Sequence, residues 1–415
     1  MFRWPITVAV INLVAVLACS SINQFNPLNP ATATPVPTPT AAVSSRQQQV
    51  FEALADAVRE KYVRADYDGV DWEAVEQKYR AQVNAGLSDT AFGEMVEQML
   101  AELPRGTASY VSREERIALE TSDVSTYKGI GVFYGTRTEG EPRVVVLHVI
   151  TGSPAELGGL KPHDAIYAID GQPITAEELP TISNRIRGPE GSEVKLTLQT
   201  PGQARRTITL ERGVITTSDS VRITVTDKVM YIRAPVPAID SMAEQIIQEL
   251  QQTAGEIEGI VLDLRISSGG GGWPFGEMVT LFTSGDFGEF YTRAETQPIS
   301  TEGVDVAGSQ KLPLVVLVGP DTRGSAEIFA AIVQNTGRAK LVGLPTPGDF
   351  EGLEEIDLPD GSRLSLATSS FRLPNGTDPS ILGVQPDVTV NADWDSFAAP
   401  ADDEVLARGL EELAR

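Results

Sequence analysis

Histidine and cysteine are almost absent from this chain of 415 residues, which has two of the first and one of the second. That excludes an internal disulfide and nearly every metal site built on imidazole and thiolate. Basic residues are scarce too, 33 against 57 acidic ones, for a formal net charge of −24. A nucleic-acid partner is excluded on that ground, because such binding needs cations to displace counterions from phosphates. Long apolar runs are missing as well. The mostly apolar stretch from Trp4 to Ala18 falls short of the roughly 20 residues that a membrane-spanning helix needs. What the chain does have is 41% hydrophobic residues, enough to bury a core, over a length that suits two or three domains.

Arg3 and the apolar run after it fit a secretory signal. Val16-Leu17-Ala18-Cys19 resembles a bacterial lipobox, in which the thiol is acylated and the chain is cut just before it. Residues 1–18 are therefore expected to be a lipoprotein signal peptide. Cys19 becomes the lipidated first residue of an extracytoplasmic protein held to a membrane by its lipid. A signal peptide with an incidental cysteine, or a short uncleaved anchor, is the plainer alternative. Residues 19–45 are rich in Pro, Thr and Ala, as in Ala33-Thr34-Pro35-Val36-Pro37-Thr38-Pro39-Thr40. Such a segment builds no core and reads as a semi-extended tether.

Beyond the tether the pattern changes three times. Residues 46–126 are largely helical, with Val50, Leu54, Ala57 and Val58, then Ala91, Met95, Met99 and Leu100, at helical spacing. Residues 127–213 form a β-rich unit with strand-like Val144-Val145-Val146-Leu147 and Val194-Lys195-Leu196-Thr197-Leu198, and a hairpin-type turn at Asp170-Gly171. Residues 214–396 alternate strand and helix. Ile260-Val261-Leu262-Asp263-Leu264 and Leu314-Val315-Val316-Leu317-Val318 are strands. Between Val318 and the strand at Leu341-Val342 lies a helix with Ile328, Phe329, Ile332 and Val333 inward, ending at Gly337. Residues 397–415 read as a C-terminal helix. The expected class is a multidomain α+β and α/β chain: an N-terminal helical region, an inserted β-rich domain, and a mixed-sheet α/β core.

In such cores, sites gather at the carboxyl ends of parallel strands. Two turns qualify. Asp263 to Gly272 carries four consecutive glycines, Gly269 to Gly272, whose N–H groups can hold an oxyanion or a phosphate. No Gly-Lys-Ser/Thr follows, so a nucleotide loop is not expected; for Gly271 and Gly272 a flexible loop is the competing reading. The second turn, Asp321 to Glu327, places Ser325 at the start of a helix, as a nucleophile would be placed. The simpler role for Ser325 is a helix N-cap, since serine needs a base and none is evident. Both histidines, His148 and His163, lie in the β-rich unit, and His148 reads as a packed strand residue. Neither a cofactor nor a metal is expected.

Taken in order, these segments resemble the carboxyl-terminal processing (tail-specific) peptidases of bacteria and plastids, over roughly residues 46 to 395. Ser109-Tyr110-Val111-Ser112-Arg113-Glu114-Glu115 looks like the family segment leading into its PDZ domain. Gly129-Ile130-Gly131-Val132, Gly152-Ser153-Pro154-Ala155, Gly159-Leu160-Lys161-Pro162 and Ile169-Asp170-Gly171 look like that domain. Asp263-Leu264-Arg265 with Gly269 and Gly270 is similar to the oxyanion-side loop, although Ser267-Ser268 replaces Asn-Pro. Leu358-Pro359-Asp360-Gly361-Ser362 and Gly383-Val384-Gln385-Pro386-Asp387-Val388 match the end of the core.

The resemblance implies a serine peptidase with a Ser/Lys pair, in which a buried neutral lysine is the base. The family nucleophile stands three residues before the glutamate that opens the helix, here Glu327, which puts Gly324 in its place. The lysine, twenty-five residues on, falls at Asp349, and the supporting glutamine at Leu353. Lys340 lies in the preceding strand and is expected to point elsewhere. The reading is a degenerate, non-catalytic relative that binds peptides or protein C-termini outside the cell, with Gly129, Ile130, Gly131 and Val132 as the peptide-binding loop. The alternative is an active serine endopeptidase using Ser325 with an unrecognised base; an assembly or adaptor subunit is a third possibility.

Overall fold

The structure, a computed structural model, describes residues 45–121, 127–215, 221–234, 239–267 and 273–415. Cys19 and the tether up to residue 44 lie outside the described residues, as do Gly269 and Gly270; Ser45, expected in the tether, opens the first helix. No described helix is long and apolar enough to cross a membrane.

Three helices, Ser45–Lys61, Trp72–Ala85 and Asp89–Leu100, open the folded part. Asp71 and Ser88 start the second and third by accepting the N–H of Ala74 and of Ala91, satisfying donors that a helix leaves unpaired. Val50, Leu54, Val58, Met95 and Met99 are buried as the spacing predicts, and Phe92 joins them, with Ala91 at the margin. These side chains meet Leu364, Leu366 and Ala367 of the strand Arg363–Arg372. The helical region therefore shares its core with a five-stranded antiparallel sheet built around that strand.

The inserted domain has an antiparallel sheet whose order runs Val132–Arg137, Arg143–Val149, Ala165–Ile169, Glu193–Gln199, Arg206–Glu211. Asp170 and Gly171 have φ of 52° and 78°, the positive pair that a tight hairpin turn demands. A two-stranded ribbon, Tyr127–Gly129 with Gly213–Ile215, joins the start and end of the insertion.

The core holds a six-stranded mixed sheet. An edge hairpin, Arg222–Thr226 with Val229–Arg233, is antiparallel; Gly259–Asp263, Leu314–Val318, Lys340–Gly343 and Val388–Thr389 follow in parallel. Leu314–Val318 is buried throughout because its side chains alternate between two cores. Leu314, Val316 and Val318 face the helices Met242–Gln252, Phe275–Phe282 and Ser325–Asn335. Val315 and Leu317 face Val405 on the C-terminal helix Glu404–Leu413.

Candidate functional site

The strand Leu314–Val318 runs out into a turn that is tied down before its helix begins. Thr322 Oγ1 donates to the Leu264 carbonyl and accepts the Gly319 N–H, each at 2.9 Å. The Arg323 N–H donates to the Ser267 carbonyl at 2.9 Å, which fastens this turn to the one after Gly259–Asp263. Gly324 then takes φ 61°, ψ −132°, a conformation open essentially to glycine alone. Ser325 is the first helical residue, and Gly324 is the N-cap; the N-cap role read for Ser325 is thereby corrected. The cause is the unusual backbone at 324, together with Glu327, whose carboxylate accepts the Gly324 N–H at 3.2 Å.

Positions 324 and 349 meet. The Gly324 N–H donates to the Asp349 carbonyl at 3.0 Å, so two residues far apart in sequence are backbone neighbours. The Asp349 carboxylate forms an ion pair with Arg323. Leu353 is 51% exposed on the strand Gly352–Asp357. Lys340 points away, donating to Glu412 at 2.9 Å.

A cleft of about 390 Å³ opens here, lined by Gly324, Ser325, Ile328, Asp349, Glu351 and Ser370 among others. None of its lining residues is a lysine or a histidine. Among the described residues, Ser325 Oγ has no hydrogen-bond partner. The carboxylates around it are engaged: Asp349 by Arg323, and Glu351 by Arg64 at 2.8 Å. Glu327 is fully buried beneath the turn and accepts the Gly348 N–H at 2.7 Å. Burial raises its carboxyl to about 7, although the bonds from Thr346, Gly348 and Gly324 pull the other way. Gly348 and Gly383 allow this approach. A Cβ on Gly383 would sit 1.8 Å from the Thr346 carbonyl oxygen, and one on Gly348 would sit 2.4 Å from that of Ser380.

Beside the turn, Asp263 and Arg265 form a buried pair, with Arg265 reaching on to both oxygens of Asp403 at 2.8 and 2.7 Å. Burial alone would raise Asp263, but the Arg265 charge and hydrogen bonds outweigh it and hold the carboxyl below its usual range. Ser267 is buried and accepts the Trp273 indole N–H at 3.1 Å. Among the described residues no cluster of His, Cys, Asp or Glu is arranged to hold a metal ion.

In the inserted domain, Ile130 is buried and its carbonyl accepts the Ala155 N–H at 2.8 Å. Gly131 has φ 81°, and a Cβ there would meet that of Ser153 at 2.3 Å. Among the described residues neither the Ile130 nor the Gly131 N–H has an acceptor. Val132–Arg137 leads away from them as the edge strand of its sheet. His148 is half-buried near Phe133, and His163 stacks on Trp394 with ring centroids 4.4 Å apart. Neither histidine lines the cleft.

Two features were not read from the sequence. One is Glu327 as a buried carboxyl; its signal in sequence is a glutamate three residues into a helix after a glycine. The other is Arg137, which reaches from the inserted domain to Asp321 at 2.5 Å and to Asp393 at 2.9 Å. Nothing in linear order announces partners 184 and 256 residues away.

The chain matches known proteins over most of its length. Peptidase family S41 matches residues 228–390, the Tricorn protease C1 domain residues 46–101, and a PDZ domain residues 145–200. A carboxyl-terminal-processing protease of Picosynechococcus sp. is 31% identical over 350 residues, covering 80% of each chain. Another from Synechocystis sp. is 28% identical, covering 88% of this chain and 86% of that one. The solved photosystem II D1 C-terminal processing protease shares the fold, with a TM-score of 0.64 at 24% identity, over 88% of this chain and 100% of that one. With its helical region, PDZ domain and mixed-sheet core in the same order, the chain belongs to the carboxyl-terminal-processing serine peptidases.

Proposed function

We infer that this protein is a non-catalytic member of its family, one that binds peptides or protein C-termini outside the cytoplasm while a lipid on Cys19 holds it to a membrane. The observation that carries the reading is the pair at 324 and 349. The two positions adjoin as a nucleophile and base would, yet one has no side chain and the other is a carboxylate paired with Arg323. A carboxylate held in an ion pair is a poor base for a serine hydroxyl. Gly129, Ile130, Gly131 and Val132 form the recognition loop, with two N–H groups for a terminal carboxylate and an edge strand for β-addition. The glycines Gly269 and Gly270 belong to the oxyanion-side loop.

The full chain, given an unfolded fluorogenic substrate with an apolar C-terminus, should show no turnover. Turnover that Ser325→Ala abolishes would overturn the reading and make Ser325 the nucleophile. That second reading, an active serine endopeptidase, draws on a specific observation: Ser325 Oγ is unengaged in the cleft, two residues from a carboxyl raised to about 7. Against it, both oxygens of Glu327 already accept backbone N–H groups.

Binding is tested separately. Peptides with a free apolar C-terminus should bind at about micromolar strength, since they bury little surface and lose ordering entropy. Amidating the terminus should weaken them at least tenfold, and equal binding of both forms refutes carboxylate capture. Labelled palmitate should enter the wild type but not Cys19→Ala; equal labelling removes the anchor.

A further inference from the structure

A second cavity, of about 500 Å³, lies away from the cleft and from the PDZ loop. Strand alternation creates it. Arg222, Thr224 and Thr226 line it from one strand of the edge hairpin, and Val229, Tyr231 and Arg233 from the other. The C-terminal helix Glu404–Leu413 covers this side of the sheet over the central strands. It stops short of the hairpin, so its Leu406 and Leu410 become a side wall. Trp394 and Phe397, with His163 stacked against them, close the cavity from the inserted domain's side.

Arg222 and Arg233 are direct cross-strand partners. Like charges placed so repel each other. Among the described residues neither guanidinium has an ion pair or a hydrogen bond, in a chain with 57 acidic residues to 33 basic ones. The two carboxylates on the cavity wall do not serve them. Asp403 is held by Arg265. Asp227 sits in the hairpin turn at the far end, roughly 15 Å away at about 3.3 Å per residue along the strand.

We propose that this cavity is a binding site for a small amphipathic monocarboxylate, with the carboxylate between Arg222 and Arg233 and an aliphatic body lying along Tyr231, Leu406 and Leu410. The volume is that of a small-molecule site, and the composition, apolar walls with a few convergent polar groups, is typical of one. Two guanidinium groups supply charge-assisted hydrogen bonds to a carboxylate. On the hairpin between the arginines and the turn the polar side chains are those of Thr224, Thr226 and Tyr231, and the Tyr231 hydroxyl already donates to Asp263 at 2.7 Å. A peptide would bury amides there without enough partners, which is costly; an alkyl chain would not.

Decanoate, below its micelle concentration, is titrated into the full chain by calorimetry and by tryptophan emission, with 1-decanol as the neutral control. Saturable decanoate binding at least tenfold tighter than decanol is expected. Arg222→Ala and Arg233→Ala should each weaken decanoate tenfold or more. Each should leave the ligand-free melting temperature unchanged or raised, because a like-charge contact is gone. Leu410→Glu, at a position already 41% exposed, places an internal carboxylate on the wall and should also weaken decanoate. The proposal fails if decanoate does not saturate, if decanol binds equally, or if these variants keep wild-type affinity. It fails too if an acetylated tripeptide ending in leucine displaces decanoate at lower concentration than decanoate itself binds.

Discussion

The PDZ loop and the turn at Gly324 are both tight backbone features with a glycine at positive φ, yet they depend on sequence differently. The loop at Ile130 and Gly131 needs only its own N–H groups, and any sequence that keeps the glycine and the packing under it keeps the donors. The turn at Gly324 keeps its backbone just as well, down to the bond between 324 and 349. On the proposed registration, however, its family chemistry resides in two side chains that Gly324 and Asp349 do not supply. Recognition by main chain outlasts substitutions that catalysis by side chain does not.

Arg137 joins the two regions physically, and breaking it should have the largest effect. Its side chain and that of Asp321 are 9% and 4% exposed, and Asp393 shares the charge. Arg137→Ala strands a buried carboxylate and should cost about 3–5 kcal/mol in a denaturant titration. A cost under about 1 kcal/mol would mean that the two regions are not fastened through this pair.

Glu327 sharpens the comparison from the core side. Its carboxyl is raised from 4.5 to about 7, so the folded state holds the proton more tightly than the unfolded chain. The stability this contributes is fully present below pH 4.5 and is lost as pH rises through about 7, a change of about 3 kcal/mol. Glu327→Gln cannot titrate. The stability of the wild type relative to that variant should therefore fall by that amount between pH 4.5 and 7.5, and a constant difference would show that Glu327 is not raised.

Asp349 should matter least. Its ion pair with Arg323 is exposed by 44% and 36% on the two sides, and such pairs contribute under about 1 kcal/mol. Asp349→Ala should shift the denaturation midpoint barely at all, and a loss above about 2 kcal/mol would make the residue structural rather than a relic.

Much of this was legible in sequence because it is local or periodic. The alternation of Leu314–Val318 and the paired turn residues Asp170-Gly171 each follow from a few neighbours. The helix and strand between Glu327 and Asp349 were also legible, because each carries its own apolar pattern. The N-cap was misread because serine is the better capper by composition, whereas the choice was made by backbone shape at Gly324. Arg222 opposite Arg233 follows from a local feature, the two-residue hairpin turn Asp227-Lys228 with both φ positive, whereas Arg137 with Asp321 was invisible because it depends on which distant elements lie side by side. No local pattern encodes that.

Gly324 also determines how easily the turn could accept a serine. A glycine rests at φ 61°, ψ −132° without strain, whereas a serine would hold that shape at a cost of about 1–3 kcal/mol. A hydroxyl gained there would stay idle until Asp349 also gave way to an amine. Placing a Ser/Lys pair at 324 and 349 would therefore cross a less stable intermediate. On backbone grounds alone, stability therefore opposes a serine at this position. A Gly324→Ser variant as stable as the wild type would show that no such barrier exists.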